Sequence, residues 1–212
     1  MSGADGAAGE AEIVRALGHR QYVGGLWEQI GRLQFEYLMG EGLRQDQVFL
    51  DIGCGALRGG IHFIPFLDPG HYLGIEQEQL LVDAGLAQEM PAGLRDEKQP
   101  EFVISSEFEF DRLSKRPDYA LAQSLFTHLT PERIEHCLGN LRSFAGEQPC
   151  RLYATFLEAE APAQNPSASN PREAFLYTRA EMKQFGGQTN WAAHYVGEWG
   201  HPRGQQMMVY LN

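Results

Sequence analysis

Apolar residues recur along the chain in short runs of strand length, separated by longer stretches with helical spacing. VFLDI (48–52), HYLGIE (71–76), EFVIS (101–105), DYALAQ (118–123) and RLYATF (151–156) read as strands. Alternation of this kind predicts a parallel sheet covered by helices on both faces. WAAHYVGEW (191–199) and QQMMVYLN (205–212) are separated only by GHPRG, which is too short for a crossover between parallel strands. They therefore predict an antiparallel hairpin at or near the end of the sheet. Ahead of the first strand, GGLWEQIGRLQFEYLMGEGL places Leu26, Ile30, Leu33, Phe35, Tyr37 and Leu38 along a leading helix, with Gly40 and Gly42 as stop signals. In TPERIEHCLGNLRSF, Thr130 is the expected cap, Pro131 opens a helix, and Ile134, Cys137, Leu138 and Leu141 share its buried face. That helix start makes 126–130 a loop after the fourth strand.

One long polar interval interrupts the alternation. Residues 157–175, with EAEAPAQNPSASNPREAF at their centre, are too rich in Pro, Ala, Ser and Asn for an element interior. They read either as a disordered lid or as an ordered substrate loop, since long loops inside compact domains are commonly functional.

Composition narrows the setting. A chain of 212 residues and 23.7 kDa supports one sizeable core, so residues 19–212 are expected to form a single domain behind a flexible lead-in over 1–18. The start, MSGADGAAGEAE, has neither the basic end nor the apolar centre of a signal peptide, and no apolar run approaches the roughly 20 residues of a membrane span. Cys54, Cys137 and Cys150 are odd in number and form no CxxC pair, which argues against a disulfide framework and a structural zinc site and suits a reducing, cytoplasmic setting. No HExxH or comparable spacing supports a metal. A formal net charge of -11 disfavours nucleic acid as a partner, because that affinity depends on neutralising phosphates with Lys and Arg.

The candidate chemistry starts in VFLDIGCGALRGG (48–60). Gly53 and Gly55, at the end of the first strand, let the backbone bend close to a ligand, and Glu76, ending the second strand, can accept hydrogen bonds from both hydroxyls of a ribose. Together they specify a nucleoside. A dinucleotide turn wants G-x-G-x-x-G, yet its third position here is Arg58, and Asp51 is an acid that a pyrophosphate would avoid. An acid suits a cationic aminoacyl ligand, so S-adenosylmethionine is favoured over NAD.

LDIGCG, then YLGIE, then DYALAQSLFTHL resembles the class I, seven-stranded S-adenosylmethionine-dependent methyltransferases over roughly residues 26–212. The resemblance implies a Rossmann-like three-layer α/β sandwich with a mainly parallel seven-stranded sheet, ending in an antiparallel hairpin. It implies that Asp51 holds the methionine ammonium, that Gly53, Cys54 and Gly55 form the bend under the methionyl part, and that Glu76 takes the ribose with Gln77 flanking the adenosine. Ser105, Ser106 and Glu107 fall in the region that usually touches adenine, while Gln123 and Ser124 match the segment beside the methyl group. One departure is Leu57, where many members carry a third glycine.

The product would be S-adenosylhomocysteine and the acceptor a small molecule, with no membrane partner and the oligomeric state open. His128, in SLFTHL, is the candidate base for a hydroxyl or protonated amine acceptor; its competing role is a cap on the next helix near Thr130 or a satisfied structural hydrogen bond. Tyr22 and Trp27, in a stretch with His19, Arg20 and Glu28, either close over the acceptor or make plain core contacts. Arg58 reads as an exposed first-turn residue or as an anchor for a carboxylate of cofactor or substrate. Two rival functions are an NAD-dependent oxidoreductase and a non-catalytic nucleoside-binding module.

Overall fold

The computed structural model describes residues 12–212. Each strand run expected from the sequence forms a strand: β1 (Phe49–Ile52), β2 (Tyr72–Glu76), β3 (Glu101–Ile104), β4 (Tyr119–Ala122), β5 (Arg151–Glu158), β7 (Ala192–Glu198) and β8 (Gln206–Leu211). They pair in the order β3-β2-β1-β4-β5-β8-β7. All neighbours are parallel except β5 with β8 and β8 with β7, so the expected hairpin closes one edge. The sheet has one strand more than expected, because β6 (Leu176–Tyr177) pairs in parallel with the end of β5. Two residues offer no alternation to read, which is why the pattern along the chain did not reveal it.

Burial follows the period of two that a strand imposes. Leu50 and Ile52 of β1 join a core with Leu73, Phe126, Leu138, Met208 and Tyr210, covered by α7 (Pro131–Ala145) and α8 (Arg179–Gln188). Phe49 points the other way, into a core with Leu38, Phe63, Tyr72, Tyr153 and Met207 beneath α3 (Trp27–Gly40) and α4 (Gly60–Phe66). Every residue of β1, β2 and β4 is buried, as expected of strands covered on both faces. At about 1.5–3 kcal/mol for each large apolar side chain buried, these two layers supply the main drive to fold.

Helices α5 (Gln79–Gln88) and α6 (Leu94–Lys98) lie between β2 and β3, and α7 begins at Pro131 as expected, although the Thr130 side chain makes no cap bond. The leading helix is α3, preceded by the short α2 (His19–Tyr22). Within the expected lead-in, residues 12–17 form helix α1, whose Val14 is buried against Trp27, Ala56 and Leu81; residues 1–11 lie outside the described residues. Strand order reverses between β1 and β4, since the chain runs outward from β1 to β3 and then returns to the other side. In an open α/β sheet that reversal leaves a crevice beyond the carboxyl ends of the strands.

Candidate active site

The crevice is a cavity of about 560 Å³, within the range of small-molecule sites. Its floor is the bend after β1. Gly53 and Gly55 have φ of 73° and 53°, in the left-handed region that glycine enters without steric cost. The amides of Gly53 and Cys54 both donate to the carbonyl of Ile75 (2.8 and 3.2 Å), which anchors the bend to β2. Leu57, the departure from the resembled glycine pattern, has φ 67° and a fully buried side chain. The position thus keeps a glycine-like backbone at a cost of about 1 kcal/mol, offset by burial of the leucine.

Two buried carboxylates face this bend. Glu76 Oε2 accepts from the Gly55 amide (2.9 Å), and Oε1 accepts from the amides of Gln77 (2.9 Å) and Glu78 (3.1 Å). Burial pushes its pKa up while these amides pull it down. Glu76 is therefore a brace for the bend as well as a ligand candidate, a role invisible in the sequence because its partners are main-chain amides. Asp51 accepts a 2.8 Å hydrogen bond from the Tyr72 hydroxyl, and its pKa is pushed up to about 7, chiefly by burial. Cys54 is buried and its thiol is pushed well above the ordinary range by burial and by the adjoining Asp51 and Glu76. A thiol so protonated is inert, and its role in the turn is packing.

The remaining expected residues converge on the same cavity except Glu107 and Trp27. Tyr22, Gln77, Ser105, Ser106, Gln123, Ser124 and His128 all line it, together with Asp51, Cys54, Glu76, Arg58 and the two glycines. Glu107 does not line it and instead bonds Arg133 (2.8 Å). Trp27 is the correction: its indole is buried with Val14, Ala56 and Leu81, edge-on to His19, and lies outside the cavity. It is core, because burying the indole among these apolar side chains takes a large aromatic surface out of water. The neighbouring stretch does cover the site, for Tyr22, Val23 and Gly24 line it while His19 and Arg20 both bond Glu89 at the end of α5 (2.5 and 2.6 Å).

Arg58 departs from the reading of an exposed first-turn residue and lines the cavity. It is only 9% exposed and meets no carboxylate; Nη1 donates to the carbonyls of Val23 (2.9 Å) and Gly25 (3.0 Å), and Nη2 to Gln123 Oε1 (2.6 Å). It clasps the segment before α3 onto the end of β4. Burial, then the proximity of Arg203, lowers its pKa to about 10.

His128 Nδ1 donates to the carbonyl of Glu173 (3.0 Å), so in the neutral ring Nε2 carries the lone pair. The structural hydrogen bond and the place on the cavity wall are thus compatible. Glu173 belongs to the long polar interval, which is an ordered strap. The Asn170 amide donates to the His128 carbonyl (3.0 Å), the Phe175 amide to the Thr127 carbonyl (2.8 Å), and Ser169 Oγ accepts from the Thr130 amide (3.0 Å). Phe175 is fully buried, and Ser169, Asn170, Pro171 and Ala174 line the cavity.

The sequence reading missed a polar group beside Ser124. Gln205 Nε2 donates to Ser124 Oγ (2.8 Å), Thr155 Oγ1 donates to Gln205 Oε1 (2.8 Å), and the Ser124 amide donates to Thr155 Oγ1 (2.7 Å). Ser124 itself has φ 59°, a strained backbone of the kind that clusters at functional sites. WGHPRGQ, near the end of the chain, was the signal for Arg203 and Gln205, but spacing alone gave it no role.

A mainly parallel sheet with a nucleoside-sized crevice at its switch point, floored by a glycine bend and two acids, defines a Rossmann-like binding fold. Solved structures of similar fold include methyltransferases. The chain is similar to the magnesium protoporphyrin IX methyltransferase ChlM of Synechocystis PCC 6803 with bound SAM, at 16% identity and TM-score 0.60, over 86% of this chain and 80% of that one. It is similar to the glycopeptide N-methyltransferase MtfA in complex with S-adenosylhomocysteine, at 12% identity and TM-score 0.62, over 85% of this chain and 88% of that one. The pyocyanin biosynthetic protein PhzM aligns at 18% identity and TM-score 0.58, over 85% of this chain and 55% of that one. The fold is that of the class I methyltransferases. No protein-family model matches the chain. Among the described residues, no helix is long and apolar enough to cross a membrane.

Proposed function

We propose that this chain is an S-adenosylmethionine-dependent methyltransferase acting on a small-molecule acceptor, by in-line displacement. The observation that carries the reading is Asp51: a carboxyl buried beside the bend, bonded to the Tyr72 hydroxyl, with no ion-paired cation among the described residues and its pKa pushed up to about 7 chiefly by burial. A ligand ammonium would supply that charge, whereas a pyrophosphate would repel it. The structural likeness to proteins solved with SAM or S-adenosylhomocysteine supports the same choice.

Bound in this cavity, S-adenosylmethionine supplies an electrophilic methyl group on a sulfonium. Asp51 would take the methionine ammonium, and Glu76, already oriented by three amides, would take the ribose hydroxyls. The adenosine would lie toward Gln77 and Ser105, and Gln123 and Ser124 would border the methyl group. The strap and the segment over Val23 and Gly24 restrict water, which favours a displacement governed by alignment. His128 Nε2 would accept the proton of a hydroxyl or ammonium acceptor. Three buried free cysteines accord with a reducing, cytosolic setting.

The test is calorimetric titration of the purified protein with S-adenosylmethionine, S-adenosylhomocysteine and NAD in parallel. Binding of the first two with no NAD binding is expected. NAD binding alone would replace this reading with the oxidoreductase, and cofactor binding without turnover of any acceptor would leave a nucleoside-binding module.

A further inference from the structure

One wall of the cavity has no task in the reading above. Arg58 and Arg203 both line it, and their hydrogen bonds go to neutral acceptors: Arg58 to Val23, Gly25 and Gln123, and Arg203 Nη2 to the Gly24 carbonyl at 2.5 Å. Neither guanidinium pairs with a carboxylate among the described residues. The two cations lie close enough that Arg203 lowers the pKa of Arg58, and burial together with both arginines lowers that of His201 to about 4. Asp51 acts on Arg58 only at a distance, so in a chain of net charge -11 the exposed Arg203, beside a second cation and without an ion pair among the described residues, marks a place where an anion is stabilised on binding.

The position of Arg203 says whose anion it is. The nucleoside reading uses the ends of β1, β2 and β3. Arg203 comes from the connector between β7 and β8, on the far side of β4 in the sheet, next to Gln205 and Ser124. Arg203 is exposed at the cavity mouth, whereas the Arg58 guanidinium is held by protein acceptors. Apolar lining from Leu157, Pro171 and Ala174 completes this end.

We propose that Arg203 is a specificity-determining residue that binds a carboxylate on the methyl acceptor, and that Arg58 positions it by clasping the Val23–Gly25 backbone. The acceptor class is then a small carboxylic acid with an apolar or aromatic body. This inference rests on the cofactor reading, since it assigns the cavity volume that the nucleoside leaves.

The test uses the full chain and begins with S-adenosylhomocysteine binding to the wild type; no binding would remove the cofactor reading itself, and the inference with it. The S-adenosylhomocysteine-saturated protein is then titrated with benzoate and with benzamide, its neutral counterpart. Benzoate is expected to bind about tenfold tighter or more, as a charge-assisted hydrogen bond requires. Arg203→Gln should abolish that preference and Arg203→Lys keep part of it, with S-adenosylhomocysteine affinity unchanged in both. Equal binding of the two probes, or no benzoate binding, would overturn the proposal. So would an Arg203→Gln variant that weakens S-adenosylhomocysteine but not 5′-methylthioadenosine, because the anion would then be the carboxylate of the cofactor.

Discussion

The two ends of the cavity are built differently. At the nucleoside end, the bend at 53–55, Asp51, Glu76 and Gln77 come from two adjacent parallel strands, and Glu76 reaches Gly55 directly. At the acceptor end, the walls come from residues 22–24, 123–128, 169–174 and 203–205, segments that meet only after the sheet has closed. The first end offers main-chain amides and carboxylates, and the proposed function assigns the nucleoside to it. The second uses long polar side chains and a strap, which can be changed without disturbing the sheet. A rigid scaffold carrying variable loops has this division in general.

The comparison breaks most sharply at His128. With an acceptor that must lose a proton, His128→Ala is expected to lower turnover by about 10²–10⁴-fold with S-adenosylhomocysteine affinity unchanged. Steady-state kinetics beside calorimetry checks this, and full turnover would remove the base assignment. Glu76→Ala should do the opposite, weakening S-adenosylhomocysteine by on the order of tenfold to a hundredfold and lowering the melting temperature, because three amides lose their acceptor. Unchanged affinity would defeat the ribose assignment.

Asp51 sharpens the comparison through pH. Its pKa is raised on folding to about 7, so the folded protein holds a proton that the unfolded chain has released. The stability from this group is therefore fully present below pH of about 4 and is lost as pH rises through about 7. A bound ammonium reverses the preference. S-adenosylmethionine binding should release a proton and tighten as pH rises through 7, and Asp51→Asn should flatten the profile; calorimetry in buffers of different ionisation enthalpy measures both.

The smallest effects are at the strap and the floor. Leu57→Gly relieves backbone strain of about 1 kcal/mol but loses a buried leucine worth about 2–3 kcal/mol, so a net loss of roughly 1–2 kcal/mol is expected in denaturant titration. Ser169→Ala removes the acceptor for the Thr130 amide, costing about 1 kcal/mol and raising hydrogen exchange at 127–130 more than at the bend. Equal protection at both places would show that the strap is not a separate element.

The legible parts of the molecule share a cause. Strand runs such as VFLDI and YLGIE are buried on both faces, so their apolar character is continuous and bounded by turn residues; the bend announces itself through glycines needed for positive φ. Trp27 and Arg58 were harder because an indole near a site and an arginine in a first turn each have several possible partners, and only packing selects among them. The strap was ambiguous for a similar reason: its order comes from bonds to 127–130, about 40 residues away in sequence, rather than from its own composition. By itself the sequence determined the α/β alternation, the terminal hairpin, the bend and its two acids, all consequences of local periodicity and backbone conformation. Only the tertiary structure decided that Arg58 is a clasp, that Glu76 braces the bend, and that Arg203 and Gln205 share a wall with Ser124, because those facts depend on side chains meeting across segments that no local pattern relates.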